Sequence, residues 1–241
     1  MSDILSQHRK IWNTKKILRV IYTRWYNKII NDLNKDGRLT VEIGAGGGNF
    51  KDFYPQAIAS DIDDHPWLDM VFDAHSMPFE NDSVSNLVTI DTLHHLQNPI
   101  KFLQESFRIL KKGGRVIMVE PFPSPFSLLV YRRFHKEPFL MDADYYKTLH
   151  SKEKYPWESN QAIPYLIFFK DKYKWEKLMG KKFKIVKKEK MSFLLYPLSG
   201  GFEHKSLILY IFIPVFQLIE CCLYPLKSLM AFRCYIVLEK C

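Results

Sequence analysis

Val41-Glu42-Ile43-Gly44-Ala45-Gly46-Gly47-Gly48 is the stretch of this chain whose residue types and spacing are most able to do chemistry. Arg38 to Ile43 is β-prone and runs straight into the glycines, and the pattern predicts a helix from about Asn49. Glycines at such a junction let the backbone turn sharply and approach a ligand with no Cβ in the way. The spacing is Gly-x-Gly-x-Gly, and Asn49 stands where a dinucleotide fingerprint needs its third glycine for close packing of helix on strand. Glu42 lies just ahead of the loop, where its charge would repel a pyrophosphate and attract an ammonium or sulfonium group.

Two more acids follow in order. Asp61 ends the next apolar run, 17 positions after Gly44, placed to accept hydrogen bonds from both hydroxyls of a ribose, with Ile62 beside it. Asp73-Ala74 ends another short run, placed to accept from an adenine amino group. Each acid alone reads equally well as a solvated loop residue. In this order, at successive strand ends, they describe one ligand, adenosylmethionine, contacted by Glu42, Gly44, Ala45, Gly46, Gly48, Asp61, Ile62, Asp73, Ala74 and Asp91.

The loop Asp91-Thr92-Leu93-His94-His95 is expected to face the transferring methyl, because ligands of such sheets sit outside the carboxyl ends of the parallel strands. Displacement at a sulfonium releases a neutral leaving group, so the main task is to hold donor and nucleophile collinear. A base is needed only for a weakly acidic hydroxyl. His94 and His95 are the candidates, since imidazole titrates near neutrality, and a structural or cofactor-shell role is the competing reading. Glu120 and His135 are more remote candidates. The spacing of His, Cys, Asp and Glu shows no metal-ligand cluster, and no metal is expected.

Elements that would position these residues can be read from the periodicity. Leu18, Tyr22, Trp25, Ile29 and Leu33 recur at helical spacing ahead of Gly37, predicting an amphipathic helix packed on the domain. Ala57 to Ser60, Met70 to Phe72, Asn86 to Ile90 and Arg115 to Val119 have the length of strands buried on both faces. Between the last two lies a helix with Asn98 as N-cap, Pro99 in its first position, Ile100, Leu103, Phe107 and Leu110 as its stripe, and Gly113-Gly114 at its end. Such alternation predicts an α/β fold with a mostly parallel sheet between helical layers. After Pro121 the text turns rich in aromatics and proline, including Pro123, Pro125, Trp157 and Pro164, and Phe183 to Leu195 and Phe232 to Glu239 read as two final strands. The expected organisation is a single domain: helical residues 1–36, a cofactor-binding core 37–121, an acceptor-side insertion 122–182, and the last strands 183–241 with an apolar helical insert 203–231.

Taken together, Glu42-x-Gly44-x-Gly46-x-Gly48, Asp61, Asp73-Ala74-His75-Ser76-Met77-Pro78-Phe79, Thr92-Leu93-His94-His95-Leu96 and Leu110-Lys111-Lys112-Gly113-Gly114 resemble the type 11 group of class I S-adenosylmethionine-dependent methyltransferases, over about a third of the chain. The resemblance implies a Rossmann-like sheet of seven strands whose last strand is antiparallel, with methionine near Glu42 and the glycines, ribose on Asp61 and adenine near Asp73 and Ala74. Asp61 and Asp73 stand too close for a full helix between their strands. That shortened connection resembles methyltransferases of surface-polysaccharide gene sets. Asn160-Gln161-Ala162-Ile163-Pro164 and Leu194-Leu195-Tyr196-Pro197-Leu198-Ser199-Gly200-Gly201-Phe202 look like subfamily hallmarks.

The bulk properties narrow the acceptor. A hydrophobic share of 47% and an aromatic share of 15% exclude a disordered chain. The net charge of +9 favours anionic surfaces or a phosphorylated substrate, with an ordinary lysine-rich surface as the plainer reading. No Asp/Asn-Pro-Pro-aromatic word follows the fourth strand, so nucleic acid is not expected as partner. The four cysteines lie at 221, 222, 234 and 241 with no disulfide framework, and no signal peptide opens the chain, so a cytoplasmic protein is expected, with the inner face of the membrane as a second location. Arg132 and Arg133, on an apolar segment 124–135, read either as a phosphate or carboxylate clamp or as the solvated edge of a packed helix. Leu207 to Leu226 has the length of a membrane span but is interrupted by Pro214, Gln217, Glu220 and Pro225. Gln217, Glu220, Tyr224 and Lys227 form a narrow polar stripe along it, and packing or homodimer contact is preferred to membrane contact. The expected reaction is O-methylation of a sugar, glycolipid or other cell-envelope intermediate. The alternatives are methylation of a small hydrophobic metabolite such as a quinone or lipid, and a cofactor-binding protein that assembles partners without catalysis.

Overall fold

The apolar runs become the strands of one sheet. The computed structural model describes residues 2–37, 39–135, 137–145 and 159–241, so Arg38 and Trp157 lie outside the described residues. Helices α1 (Ser2–Thr14) and α2 (Lys16–Asp32) precede β1 (Leu39–Ile43), β2 (Ile58–Asp61), β3 (Met70–Val71) and β4 (Val84–Ile90). Next come α3 (Pro99–Ile109), β5 (Leu110–Pro121) and α4 (Pro125–Phe134). The insertion continues through α5 (Ile163–Tyr165), a π-helical turn (Leu166–Lys170) and α6 (Lys172–Met179). It leads to β6 (Phe183–Met191), α7 (Leu195–Ser199), α8 (Ile213–Cys222), α9 (Lys227–Met230) and β7 (Arg233–Lys240).

The strand order is β3-β2-β1-β4-β5-β7-β6. Strands β1 to β5 pair in parallel, and β7 runs antiparallel to both β5 and β6, as the fold class requires. Side chains alternate across β5: Val116 and Met118 join the core under α3 and the insertion, while Ile117 and Val119 join the core under α2. The second core is closed by Leu18, Tyr22, Trp25 and Ile29, one face of α2. At its far end the buried Asp32 accepts hydrogen bonds from Tyr235 Oη at 2.8 Å and Lys187 Nζ at 2.6 Å, which ties α2 to the last two strands.

Three local features differ from expectation. Where a helix is expected from Asn49, only a 3-10 turn (Asn49–Asp52) forms, because Pro55 cannot donate a helical hydrogen bond and the chain is back in the sheet by Ile58. Asn98 does cap α3, its Oδ1 accepting from Lys101 N at 2.8 Å, but the helix stops at Ile109 and not at Gly113-Gly114. Leu110 already pairs with Val84, so the glycines fall within β5.

The third difference concerns the apolar insert, which leaves most of its apolar side chains in solvent where packing on the domain is one expectation. Ile213 is the single buried residue of α8 and α9, whereas Leu207, Ile211 and Leu218 are 76%, 72% and 67% exposed. Of the polar stripe, Glu220 points inward. Glu220 Oε1 accepts the backbone N–H groups of Leu194 at 2.9 Å and Phe193 at 3.2 Å, and Glu220 Oε2 lies 3.5 Å from Arg24. Helix α8 is therefore amphipathic with the usual sense reversed.

Leu87 of the central strand β4 is fully buried. Leu87→Ala should cost about 2–5 kcal/mol, the usual sum of lost transfer energy and residual cavity. Urea unfolding followed by circular dichroism measures this, and a loss below about 1 kcal/mol would contradict the packing described.

Candidate active site

The glycine loop leaves β1 with Gly44, Gly46 and Gly48 at φ of +67°, +52° and +69°, a left-handed backbone that side chains other than glycine resist. The three positions differ in what a side chain would meet. A Cβ on Gly44 would come within 2.5 Å of Thr92 Cγ2, so this glycine is required by packing against the loop after β4. A Cβ on Gly46 would meet Leu5 Cδ2 of α1 at 3.5 Å, which leaves room above the loop. The turn is braced from beneath: Ala45 N donates to Ser60 O at 2.9 Å, Ser60 Oγ donates to Glu42 O at 2.7 Å, and Gly46 N donates to Asp61 Oδ2 at 2.9 Å.

Glu42 is buried in β1, and its Oε2 has no hydrogen-bond partner. Burial, reinforced by the nearby Asp61, pushes this carboxyl up to about 8. Asp91 is a second such group. It adopts φ +54° at the end of β4, a conformation that costs a non-glycine residue about 1–3 kcal/mol, and aims its carboxylate into the interior. Asp91 Oδ2 is 3.2 Å from Arg233 Nη2, while Oδ1 is buried with no partner. Burial raises its carboxyl, with Arg233 opposing. Two carboxylates, Glu42 buried and Asp91 partly buried, each with a buried unused oxygen, suit a ligand bearing two positive centres. These residues fit S-adenosylmethionine, which carries a sulfonium and an ammonium.

Asp61 and Ile62 stand at the end of β2, with Ile62 exposed. Asp73 sits beyond β3 with its Oδ1 accepting from His75 N at 2.8 Å and lying 2.6 Å from His75 Nδ1. Burial raises the Asp73 carboxyl, but the His75 hydrogen bonds outweigh it and the net shift is downward. Ala74 is buried beside it. Periodicity gave no signal for the residues that roof the loop. Trp67, from the short β2–β3 connection, donates its indole N–H to Gly46 O at 2.8 Å. His65 stacks on one face of Trp67 at 4.7 Å, and the Arg9 guanidinium lies over its ring at 4.7 Å. Arg9 Nη1 also donates to Gly47 O at 3.0 Å, so α1 closes over the cradle.

His94 and His95 form a 3-10 turn after β4, on the same edge of the sheet. Glu120, fully buried at the end of β5, accepts from Thr92 N at 3.0 Å and Leu93 N at 2.8 Å and lies 2.6 Å from His94 Nδ1. Glu120, read from sequence as a remote base candidate, is thus spent on positioning the loop. On its other side His94 Nε2 is 3.5 Å from Glu137 Oε2, and His95 Nε2 is 3.9 Å from Glu137 Oε1. Burial lowers His94, but Glu120 and Glu137 more than compensate and hold it at about 9, so it is charged at neutral pH and is not a ready base. His135 adjoins this cluster: its Nδ1 lies 3.0 Å from Gln161 Nε2 and accepts from Glu137 N at 3.3 Å. Asn160 and Gln161 of the hallmark word therefore frame the histidines, with Asn160 N donating to His94 O at 3.1 Å. The fold also brings His94, His95 and Glu137 together, with one nitrogen or oxygen of each within 4.8 Å of the others.

Residues 41–118 match the family model described as a methyltransferase domain. Over that third of its length the chain is similar to methyltransferase domains. A S-adenosylmethionine-dependent methyltransferase from Archaeoglobus fulgidus shares the fold at a TM-score of 0.55 and 15% identity, over 92% of this chain and 94% of that one. Another from Thermotoga maritima does so at 0.52 and 16%, over 98% and 99%. Over 49 residues this chain is 39% identical to an uncharacterised 37.1 kDa protein in a transposon of Streptomyces fradiae; the match spans 20% of this chain and 14% of that protein.

The buried Glu42 makes cofactor binding pH-dependent in a defined sense. In the empty cradle Glu42 is protonated below about 8, and a bound cation favours its ionised form, so binding releases a proton and tightens as pH rises toward 8. Calorimetry at several pH values should show this rise in the wild type and a flatter profile in Glu42→Gln; equal slopes would remove Glu42 from the site. Asp61→Ala should weaken S-adenosylmethionine by about 1.5–3 kcal/mol, through lost hydrogen bonds to a charged group and a loosened Gly46. An unchanged affinity would count against the ribose assignment.

Proposed function

We propose that this chain is an S-adenosylmethionine-dependent methyltransferase that O-methylates a sugar, glycolipid or other cell-envelope intermediate met at an anionic membrane surface. The observation that carries the reading is the outward apolar face of the insert, because of where it lies. Arg233 pairs with Pro121 across β5 and β7, so the insert ending at Met230 returns to the sheet at its carboxyl edge, beside the glycine loop and the histidines. Helix α4 extends the same surface with exposed Phe126, Leu129 and Phe134 and with Arg132 and Arg133 in its last turn. Around Tyr210, a shallow groove is lined by Lys16, Arg19 and Arg24. Apolar side chains rimmed by arginine and lysine are the pattern of an interfacial segment on anionic lipid. No single described helix is long and apolar enough to cross a membrane, and Tyr210–Cys222 and Tyr224–Met230 meet at a bend of 65°. This geometry suits lying on a surface.

When bound, S-adenosylmethionine supplies an activated methyl group. The chain's own part is placement: Glu42 and Asp91 hold the positive centres, Asp61 and Asp73 hold the nucleoside, and α1 with Trp67 keeps water from the loop. His95, on the turn after β4, is the loop residue nearest in role to a base for the acceptor's hydroxyl proton.

Incubation with S-adenosylmethionine labelled in its methyl group and with a cell-envelope extract should label a glycan or lipid-linked species, and base-stable ether linkage identifies oxygen as the site. Labelling confined to soluble quinone-like metabolites would favour the small-molecule reading, and no labelling by a chain that binds the cofactor would favour a non-catalytic role. The protein should co-sediment with vesicles containing phosphatidylglycerol, and Ile211→Asp with Leu218→Asp should reduce the bound fraction at least several-fold while circular dichroism stays unchanged. A stable dimer by light scattering that does not bind vesicles would assign the face to self-association instead.

A further inference from the structure

We infer that His94, His95 and Glu137 form a binding site for one divalent transition-metal ion of the zinc type. The ligand atoms come from two segments about forty residues apart in sequence and all lie within 4.8 Å of one another. Their spacing is the first argument. His94 Nε2 to Glu137 Oε2 is 3.5 Å and His95 Nε2 to Glu137 Oε1 is 3.9 Å. Both exceed the 2.7–3.2 Å of an N–H···O hydrogen bond. With metal bonds of about 2.0–2.2 Å, the edge of a tetrahedral site is roughly 3.3–3.6 Å, so a modest adjustment closes the set around an ion.

Orientation is the second argument. Glu120 is fully buried, takes two backbone N–H bonds, and sits 2.6 Å from His94 Nδ1. It therefore directs the other nitrogen of His94 toward Glu137. A carboxylate behind a histidine, with a second carboxylate in front, is the usual second support of a metal-bound imidazole. Glu137 is itself held in place, its Oε2 accepting from Ser159 Oγ at 2.6 Å and Gln161 Nε2 at 3.1 Å. The donor set is two imidazoles and one carboxylate, which favours zinc-type ions over calcium or magnesium and leaves a coordination position open. If the acceptor reading holds, an alcohol oxygen entering that position would lose its proton to water more readily, and its lone pair would then attack the methyl carbon as the carbon–sulfur bond breaks.

The full-length protein, stripped with EDTA and titrated with Co²⁺, should take up one ion per chain with the visible absorption bands of low-coordinate cobalt, and Zn²⁺ should displace it. His95→Ala and Glu137→Gln should each weaken cobalt binding at least a hundredfold, and Glu120→Gln by about 10–100-fold, the usual effect of losing an outer-shell partner. S-adenosylmethionine binding by His95→Ala reports that the variant is folded. No stoichiometric uptake by the wild type, or equal uptake by wild type, His95→Ala and Glu137→Gln, would overturn the site. The absorption readout needs no acceptor, so a negative result here leaves the acceptor reading standing, and failure of the acceptor assay leaves the metal site standing.

Discussion

Glu120 is the constraint on which both halves of the site depend. Its carboxylate is fully buried and accepts from Thr92 N, Leu93 N and, at Oε2, the His94 ring. A buried charge of this kind is tolerated only when its lone pairs are met, and here three donors from one turn meet them. The turn is held in one shape as a result. Thr92 then lies hard against Gly44, which explains why that position admits no side chain, while His94 is presented to Glu137. One carboxylate thus sets the distance between the glycine loop and Glu137.

The same edge carries the unused polar atoms. Glu42 Oε2 and Asp91 Oδ1 are buried without partners, beside an Arg233 that also contacts the Tyr131 and Tyr196 hydroxyls. Elsewhere buried acids such as Asp32 are fully engaged. Two carboxylate oxygens left unsatisfied at the edge that carries the glycine loop suit a place where a cationic ligand completes the structure. The strained φ of Asp91 belongs to the same picture, since its backbone conformation is what turns the carboxylate inward.

The insert reverses the usual allocation of surface. Glu220 is drawn inward to satisfy the backbone N–H groups at the start of α7, and that anchoring forces the apolar side of α8 outward. The consequence is a hydrophobic surface next to the site, produced by one internal hydrogen-bonding requirement.

Much of this was legible from residue order. A strand running into spaced glycines, then acids at the ends of two further strands, is local text, and period and composition report it directly because each strand is short and buried on both faces. The cap on α3 was legible for the same reason. Sequence alone determined the fold class, the glycine loop after β1 and the order of the acids. Only the tertiary structure decided which face of the insert meets solvent, that Trp67 and Arg9 roof the glycines, and that Glu137 stands opposite His94 and His95. Those outcomes arise from contacts between segments far apart along the chain, and no local periodicity encodes a contact of that kind.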